Sequence, residues 1–203
     1  MLYIVGVGPG DPELITLKAV KALERCERVA GWRSVLLRLG LSEEKAVELT
    51  YRNQEERLRE LAELSASRDV CIAVHGDPTV SDWELLDRVR ELGVPFEVIN
   101  GVSSLNLALA RAGLDMAHVV FITQHARSPQ SLSDAALPGR SLVVFPPLDA
   151  KGRSELWEEL KRFSQCKILL MERLSLPGER VVELKEREHL LNATDLSVVV
   201  VKC

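Results

Sequence analysis

Three short stretches hold the residues best suited to chemistry: Val5-Gly-Val-Gly-Pro-Gly-Asp11, His75-Gly-Asp-Pro-Thr79 and Asn100-Gly-Val-Ser-Ser104. Glycine opens backbone angles denied to other residues and lets a ligand come close to the main chain. The carboxylate of Asp77 can accept hydrogen bonds from a ligand or cap its own turn, and His75 is open to either a structural or a functional role. Ser103 or Ser104 serves as a helix N-cap in the structural reading and faces a ligand in the functional one.

The first stretch excludes two phosphate-binding chemistries. A dinucleotide fingerprint starting at Gly6 needs glycine where Asp11 stands, and a P-loop needs lysine followed by serine or threonine where Asp11-Pro12 follows Gly10. Both failures share an electrostatic cause. Asp11 and Glu13 occupy the first turn of the expected helix and offset the positive end of its dipole, so the loop suits a neutral or cationic ligand better than an anion. S-adenosylmethionine, a nucleoside carrying a sulfonium, fits that description. The structural alternative is a tight turn between a core strand and a helix.

Repeated strand-loop-helix units must position these stretches. Leu2 to Val7 reads as a buried strand. Asp11 then caps a helix with Pro12 at its first position and a buried stripe of Leu14, Leu17 and Leu23, with Ile15 and Val20 beside it. Further strands are expected at Glu27 to Gly31, Val70 to Val74 and Val94 to Ile99. Helices are expected at Trp32 to Leu39, closed by Gly40, at Gln54 to Leu64, at Asp82 to Leu92, and from the Asn100–Ser104 turn to about Ala112. Such repetition gives a mostly parallel sheet with covering helices, and ligands collect beyond the carboxyl ends of its strands.

A domain boundary is expected at Gly113–His118, separating 1–112 from 113–203. The second part carries strands at Val119 to Thr123, Ser141 to Phe145, Lys167 to Met171, Arg180 to Leu184 and Leu196 to Val201. Helices are expected at Glu155 to Phe163 and Lys185 to Leu191. The fold class is α/β in two domains.

Composition narrows the function classes. The 203 residues are 46% hydrophobic and 28% charged, a globular profile, and a net charge of −4 offers no general attraction to nucleic acid. The apolar runs are strand-length, short of the roughly 20 residues a spanning helix needs, so no membrane partner and no signal peptide ahead of Leu2 are expected. Cys26, Cys71, Cys166 and Cys203 form no C-x-x-C pair, which points away from a structural zinc site and toward a reducing, cytoplasmic compartment.

Val5-Gly-Val-Gly-Pro-Gly-Asp-Pro-Glu-Leu-Ile-Thr-Leu17 resembles the opening motif of the tetrapyrrole methylases, S-adenosylmethionine enzymes that include the corrin-ring methylases. The likeness continues through His75-Gly-Asp-Pro78, Gly101-Val-Ser-Ser104 and His125-Ala-Arg127. Met171-Glu-Arg-Leu-Ser-Leu-Pro-Gly-Glu179 is similar to the branch that methylates C5 of precorrin-7 or cobalt-precorrin-7. Asn100 departs from the family's usual proline and Ala126 from a common glycine, and Thr79-Val-Ser-Asp82 lacks an aromatic and a glycine.

The resemblance implies a cofactor folded between two domains, with contacts from Pro9, Asp77, Val80, Ser103, Ser104 and, from the second domain, Phe145. It implies methyl transfer to a carbon of the macrocycle, with Asp77, His125 or His75 as acceptor of the ring proton. Arg127 is placed to hold substrate carboxylates, with Arg33 and Arg173 as further candidates. A homodimer is implied, and any metal travels with the substrate. The alternatives are another tetrapyrrole position, the modified histidine of the diphthamide pathway, a non-catalytic nucleoside-binding module, and a nicotinamide-dependent oxidoreductase, which Asp11 disfavours.

Overall fold

The computed structural model describes residues 1–125 and 131–203. The continuous apolar run at the amino terminus becomes β1 (Leu2–Gly6), buried throughout. Asp11 does cap, accepting from the Glu13 amide at 2.9 Å, but what it caps is a single 3-10 turn, Pro12–Leu14. Ile15 is extended at ψ 136°, and the chain restarts at Thr16, whose hydroxyl accepts from the Ala19 amide at 3.2 Å and caps α1 (Leu17–Arg25). The expected single helix is therefore two elements. The buried face of α1 is Ala19, Ala22 and Leu23, whereas Leu17 is 78% exposed.

β2 (Arg28–Trp32) follows, then α2 (Arg33–Leu39), which ends on Gly40 at a left-handed φ of 60°. β3 (Ala46–Leu49), which the sequence does not announce, is a short, partly exposed edge strand paired with β2. α3 (Gln54–Leu64), β4 (Val70–Val74), α4 (Trp83–Glu91) and β5 (Phe96–Ile99) complete the first unit. Its sheet is parallel throughout, in the order β3-β2-β4-β1-β5.

Alternation along β1 sends Tyr3 and Val5 to one face, against Ala19, Leu23 and Val35 of α1 and α2. Leu2 and Ile4 point to the other, against Leu58 and Leu61 of α3 and Val89 of α4. Covering both faces explains why β1 and β4 read as continuous apolar runs rather than alternating ones. Each large side chain fully withdrawn there, such as Ile4 or Ile72, contributes on the order of 2 kcal/mol.

The second unit runs from Ser104 to Cys203 and the first from Met1 to Ser103. Its strands are β6 (Val119–Thr123), β7 (Ser141–Phe145), β8 (Lys167–Glu172), β9 (Arg180–Glu183) and β10 (Ser197–Lys202). They order as β6-β7-β10-β8-β9, with β6 and β7 parallel and the remaining pairs antiparallel. Its helices are α5 (Ser104–Ala112), α6 (Leu132–Ala135), α7 (Ala150–Leu160) and α8 (Arg187–Leu191). α5 packs on β7 and β10, so it groups with the second unit, ahead of the boundary expected at 112/113. The core joins Ile122, Leu142, Val144, Leu170 and Val199 to Leu156 and Leu160 of α7 and Leu190 of α8.

All four cysteines are paired, Cys26 with Cys71 and Cys166 with Cys203, at sequence separations of 45 and 37. This overturns the reading of scattered thiols and removes the argument for a reducing compartment, since disulfides persist where the surroundings are oxidising or the fold protects them. The pairing is hidden in the sequence because the sheet makes it: Cys71 lies within β4 and Cys26 caps the end of α1. Among the described residues no helix is long and apolar enough to cross a membrane.

Candidate functional site

Because β4, β1 and β5 are parallel neighbours, the loops that leave their carboxyl ends lie side by side. The first two are joined by main chain alone: the Gly8 amide donates to the Gly76 carbonyl at 3.2 Å and the Gly76 amide to the Gly8 carbonyl at 2.9 Å. The third comes equally close. A Cβ on Gly101 would stand 2.2 Å from the Gly76 carbonyl oxygen and 2.8 Å from the Gly6 carbonyl, and one on Gly6 would stand 2.6 Å from that same Gly76 oxygen. Glycine is therefore required at this junction by space, and at Gly8 and Gly76 also by φ values of 78° and 71°.

Asp77 sits on this junction and is 8% exposed. Its Oδ1 accepts from the Thr79 amide at 2.7 Å and the Thr79 hydroxyl at 2.6 Å. Oδ2 accepts from the Gly101 amide at 3.2 Å, and Asn100 Nδ2 donates to both oxygens at 3.3 and 3.2 Å. A carboxylate has about four lone-pair sites, and here they are engaged by the protein's own donors. Asp77 therefore ties the second loop to the third as a positioning residue. Asn100, the departure from proline, supplies two of those bonds. Val80 closes the turn by donating its amide to the Asp77 carbonyl at 3.0 Å.

Arg38, from the last turn of α2, connects the first two loops from outside. Its Nη1 donates to the Pro9 carbonyl at 3.5 Å, its Nε to the Ser34 carbonyl at 3.1 Å, and its Nη2 meets His75 Nδ1 at 2.8 Å. A guanidinium can only donate, so Nδ1 is the acceptor and the ring proton is on Nε2. Burial, reinforced by the Arg38 charge, pushes the His75 pKa down to about 4. A ring with its basic nitrogen already bonded and its pKa so low is no proton acceptor, which removes His75 from the expected bases. No sequence signal pointed to Arg38, which stands 37 residues from its partner.

Asp82 was not singled out as a site residue. It stands at the N-cap of α4 without making a side-chain cap, after Ser81, which has a left-handed φ of 75°. Burial first, then the neighbouring Asp77 charge, raise its pKa to about 7. Beside the first loop opens a cavity of about 430 Å³, walled by Val7, Ile15, Val20, Leu23, Leu39 and Leu41. Ser103 is buried at the end of the third loop.

The remaining expected residues belong to the second unit. Ser104 opens α5. Phe145 ends β7, buried, with its ring edge-on to Phe121 at 4.9 Å and 5.6 Å from the His125 ring. The His125 pKa is lowered, first by desolvation even though much of the residue is exposed; Asp195 opposes that shift and Arg153 adds to it.

Two buried charges organise the loops beside them. Arg153 donates to the carbonyls of Pro147 at 2.9 Å, Leu191 at 3.3 Å and Ala193, and pairs with Asp195 at 3.2 Å. Glu172 accepts from the Thr194 amide at 2.8 Å and from Arg180 Nε at 2.8 Å. Arg33 and Arg173 are exposed, and Arg173 donates to the Pro177 carbonyl at 3.0 Å. Arg127 lies outside the described residues. Among those described, no group of three or more His, Cys, Asp or Glu side chains could hold a metal ion.

Known proteins share both the sequence pattern and the architecture. A probable cobalt-precorrin-7 C(5)-methyltransferase of Methanocaldococcus jannaschii is 30% identical over 198 residues, covering 95% of this chain and 92% of that protein. The diphthine methyl ester synthase of Schizosaccharomyces pombe is 30% identical over 182 residues, covering 80% and 62%. Among solved structures, a cobalamin-biosynthesis precorrin-6Y methylase from Archaeoglobus fulgidus superposes with a TM-score of 0.77 at 26% identity, covering 100% of this chain and 97% of that one. A uroporphyrin-III C-methyl transferase from Thermus thermophilus, solved with S-adenosyl homocysteine, gives 0.75 at 28% identity, covering 99% and 96%. With the family model for tetrapyrrole (corrin/porphyrin) methylases matching residues 1–189, this chain belongs to that family.

Proposed function

We propose that the protein transfers a methyl group from S-adenosylmethionine to C5 of precorrin-7 or its cobalt form. The observation that carries the cofactor assignment is the glycine junction: backbone from three loops in contact, with no room for a Cβ at Gly6 or Gly101, beside a first turn bearing Asp11 and Glu13. Such a surface admits a nucleoside against the main chain and favours a cation over a phosphate. The substrate assignment is supported by the likeness to the archaeal C5-methyltransferase.

Pro9, Val80 and Ser103 are the proposed contacts in the first unit, with Asp77 fixing their loops. Ser104 and Phe145 are proposed in the second on the resemblance alone. When bound, the cofactor supplies an electrophilic methyl group: a new C–C bond forms as the C–S bond breaks, and the ring proton at the methylated carbon then leaves. The chain's part is to align donor and carbon and keep water out, which is worth roughly 7–11 kcal/mol of barrier. His125, whose ring lies 5.6 Å from that of Phe145, is the proposed proton acceptor, and Arg127 the proposed partner of a substrate carboxylate. A homodimer belongs to the same proposal and is checked by light scattering.

The test incubates the purified protein with S-adenosylmethionine and cobalt-precorrin-7 and follows product mass. Gain of one methyl group supports the reading. Turnover only on the diphthamide precursor moves the chain to the substrate class of its yeast relative, and cofactor binding without turnover on either leaves a nucleoside-binding module.

A further inference from the structure

His75 is half-buried, and its only hydrogen bond among the described residues is the one to Arg38 through Nδ1. The proton on Nε2 therefore has no partner among the described residues. A partly buried N–H needs one, from water or from a ligand. The ring is also held firmly: the next residue, Gly76, is fixed by two main-chain bonds to Gly8, and Arg38 is anchored on Ser34 and Pro9. A neutral donor at a fixed position, beside the three-loop junction, is a recognition element.

We propose that His75 is a ligand-binding residue of this site, offering its Nε2–H as an uncharged donor to an acceptor atom of the bound nucleoside, with Arg38 as the positioning residue that sets its tautomer. This rests on the cofactor reading above. An uncharged donor recognises an acceptor without repelling the sulfonium beside it, as an imidazolium would; among the described residues the charge that acts on the ring is that of Arg38. Loss of solvation and the Arg38 cation work in the same direction, so the donor persists, proton in place, across the whole physiological pH range.

The test uses the intact protein and S-adenosylhomocysteine. Nitrogen-15 imidazole spectra should show His75 as the neutral Nε2–H tautomer from pH 5.5 to 8, with its Nε2 signal shifting on ligand saturation. His75→Ala should weaken S-adenosylhomocysteine by about fivefold to tenfold, while His75→Gln, whose amide reaches the Nε2 position, should retain most of the affinity. Arg38→Leu should raise the His75 pKa toward its ordinary value and mix the tautomers, a change that mere loss of packing would not produce. A protonated or Nδ1–H ring in the wild type, or a His75→Ala protein that binds like the wild type, overturns the proposal while leaving the cofactor reading intact. Failure of the wild type to bind the ligand overturns both.

Discussion

The two units solve the same problem, holding loops in place at the end of a sheet, by different means. In the first, three loops touch through their own backbones, and the devices are glycines and one carboxylate, Asp77, which accepts from Thr79 of its own loop and from Asn100 and Gly101 of the third. In the second, long buried side chains reach across the fold: Arg153 grips carbonyls 38 and 40 residues away, and Glu172 takes the Thr194 amide 22 residues on. Backbone junctions leave a surface that a planar ligand can approach closely. The contrast teaches why the cofactor reading attaches first to the unit whose loops meet through main chain.

The largest expected effect comes from filling the junction. Gly101→Val should destabilise the protein by about 4 kcal/mol, because the atoms its Cβ meets are backbone and cannot move aside; chemical denaturation measures it. A change under about 1 kcal/mol would mean the loops are not in contact and would break the comparison. Arg153→Met should cost about 3 kcal/mol by leaving buried carbonyls without a donor, and should raise the His125 pKa, since Arg153 helps to lower it. Denaturation and proton NMR test those two arms separately. Cys71→Ser should cost about 2–4 kcal/mol through the released loop, read as a lower melting temperature that reductant no longer changes for this bridge.

The smallest effect is the one that best sharpens the account of the first unit. Asp82 has its folded pKa raised to about 7, so the folded state binds a proton that the unfolded chain releases near pH 4. Its contribution is fully present below pH 4 and lost as pH rises through 7. Asp82→Asn should flatten that decline and leave the protein relatively more stable at pH 8. His75 acts oppositely: its pKa is depressed to about 4, so stability falls as pH drops from the ordinary histidine value toward 4. Melting curves of the Asp82 variant should therefore expose a purely acid-side loss, and a variant with the wild-type profile would show that Asp82 does not titrate as described.

Much of the first unit was legible in the sequence, because its strands are buried on both faces and its loops are punctuated by glycine. α3, β4, β6 and β7 fall where periodicity and apolar runs place them. The start of α1 was misplaced because Asp11-Pro12 is a genuine start signal for one turn, and nothing nearby distinguishes that turn from a full helix until Ile15 goes extended. β3 was missed as a four-residue edge strand with little buried surface. Of the site, the loop residues and Asp77 were readable, but Asn100 entered only as a departure from the family pattern, and its bonds to the carboxylate depend on the fold. Arg38, Arg153, Glu172 and both disulfides were out of reach for one reason: each makes its partnership across a long separation that only the folded sheet closes.

The central claim is that the three-loop junction of the first unit holds an adenosine-bearing cofactor. Titrating S-adenosylhomocysteine into nitrogen-15-labelled protein and mapping the amide shifts tests it most directly. Saturable shifts concentrated at Gly8–Asp11, Gly76–Val80 and Gly101–Ser103 are the predicted result. Saturable binding whose shifts lie away from these loops, or no binding by the folded protein, would contradict it.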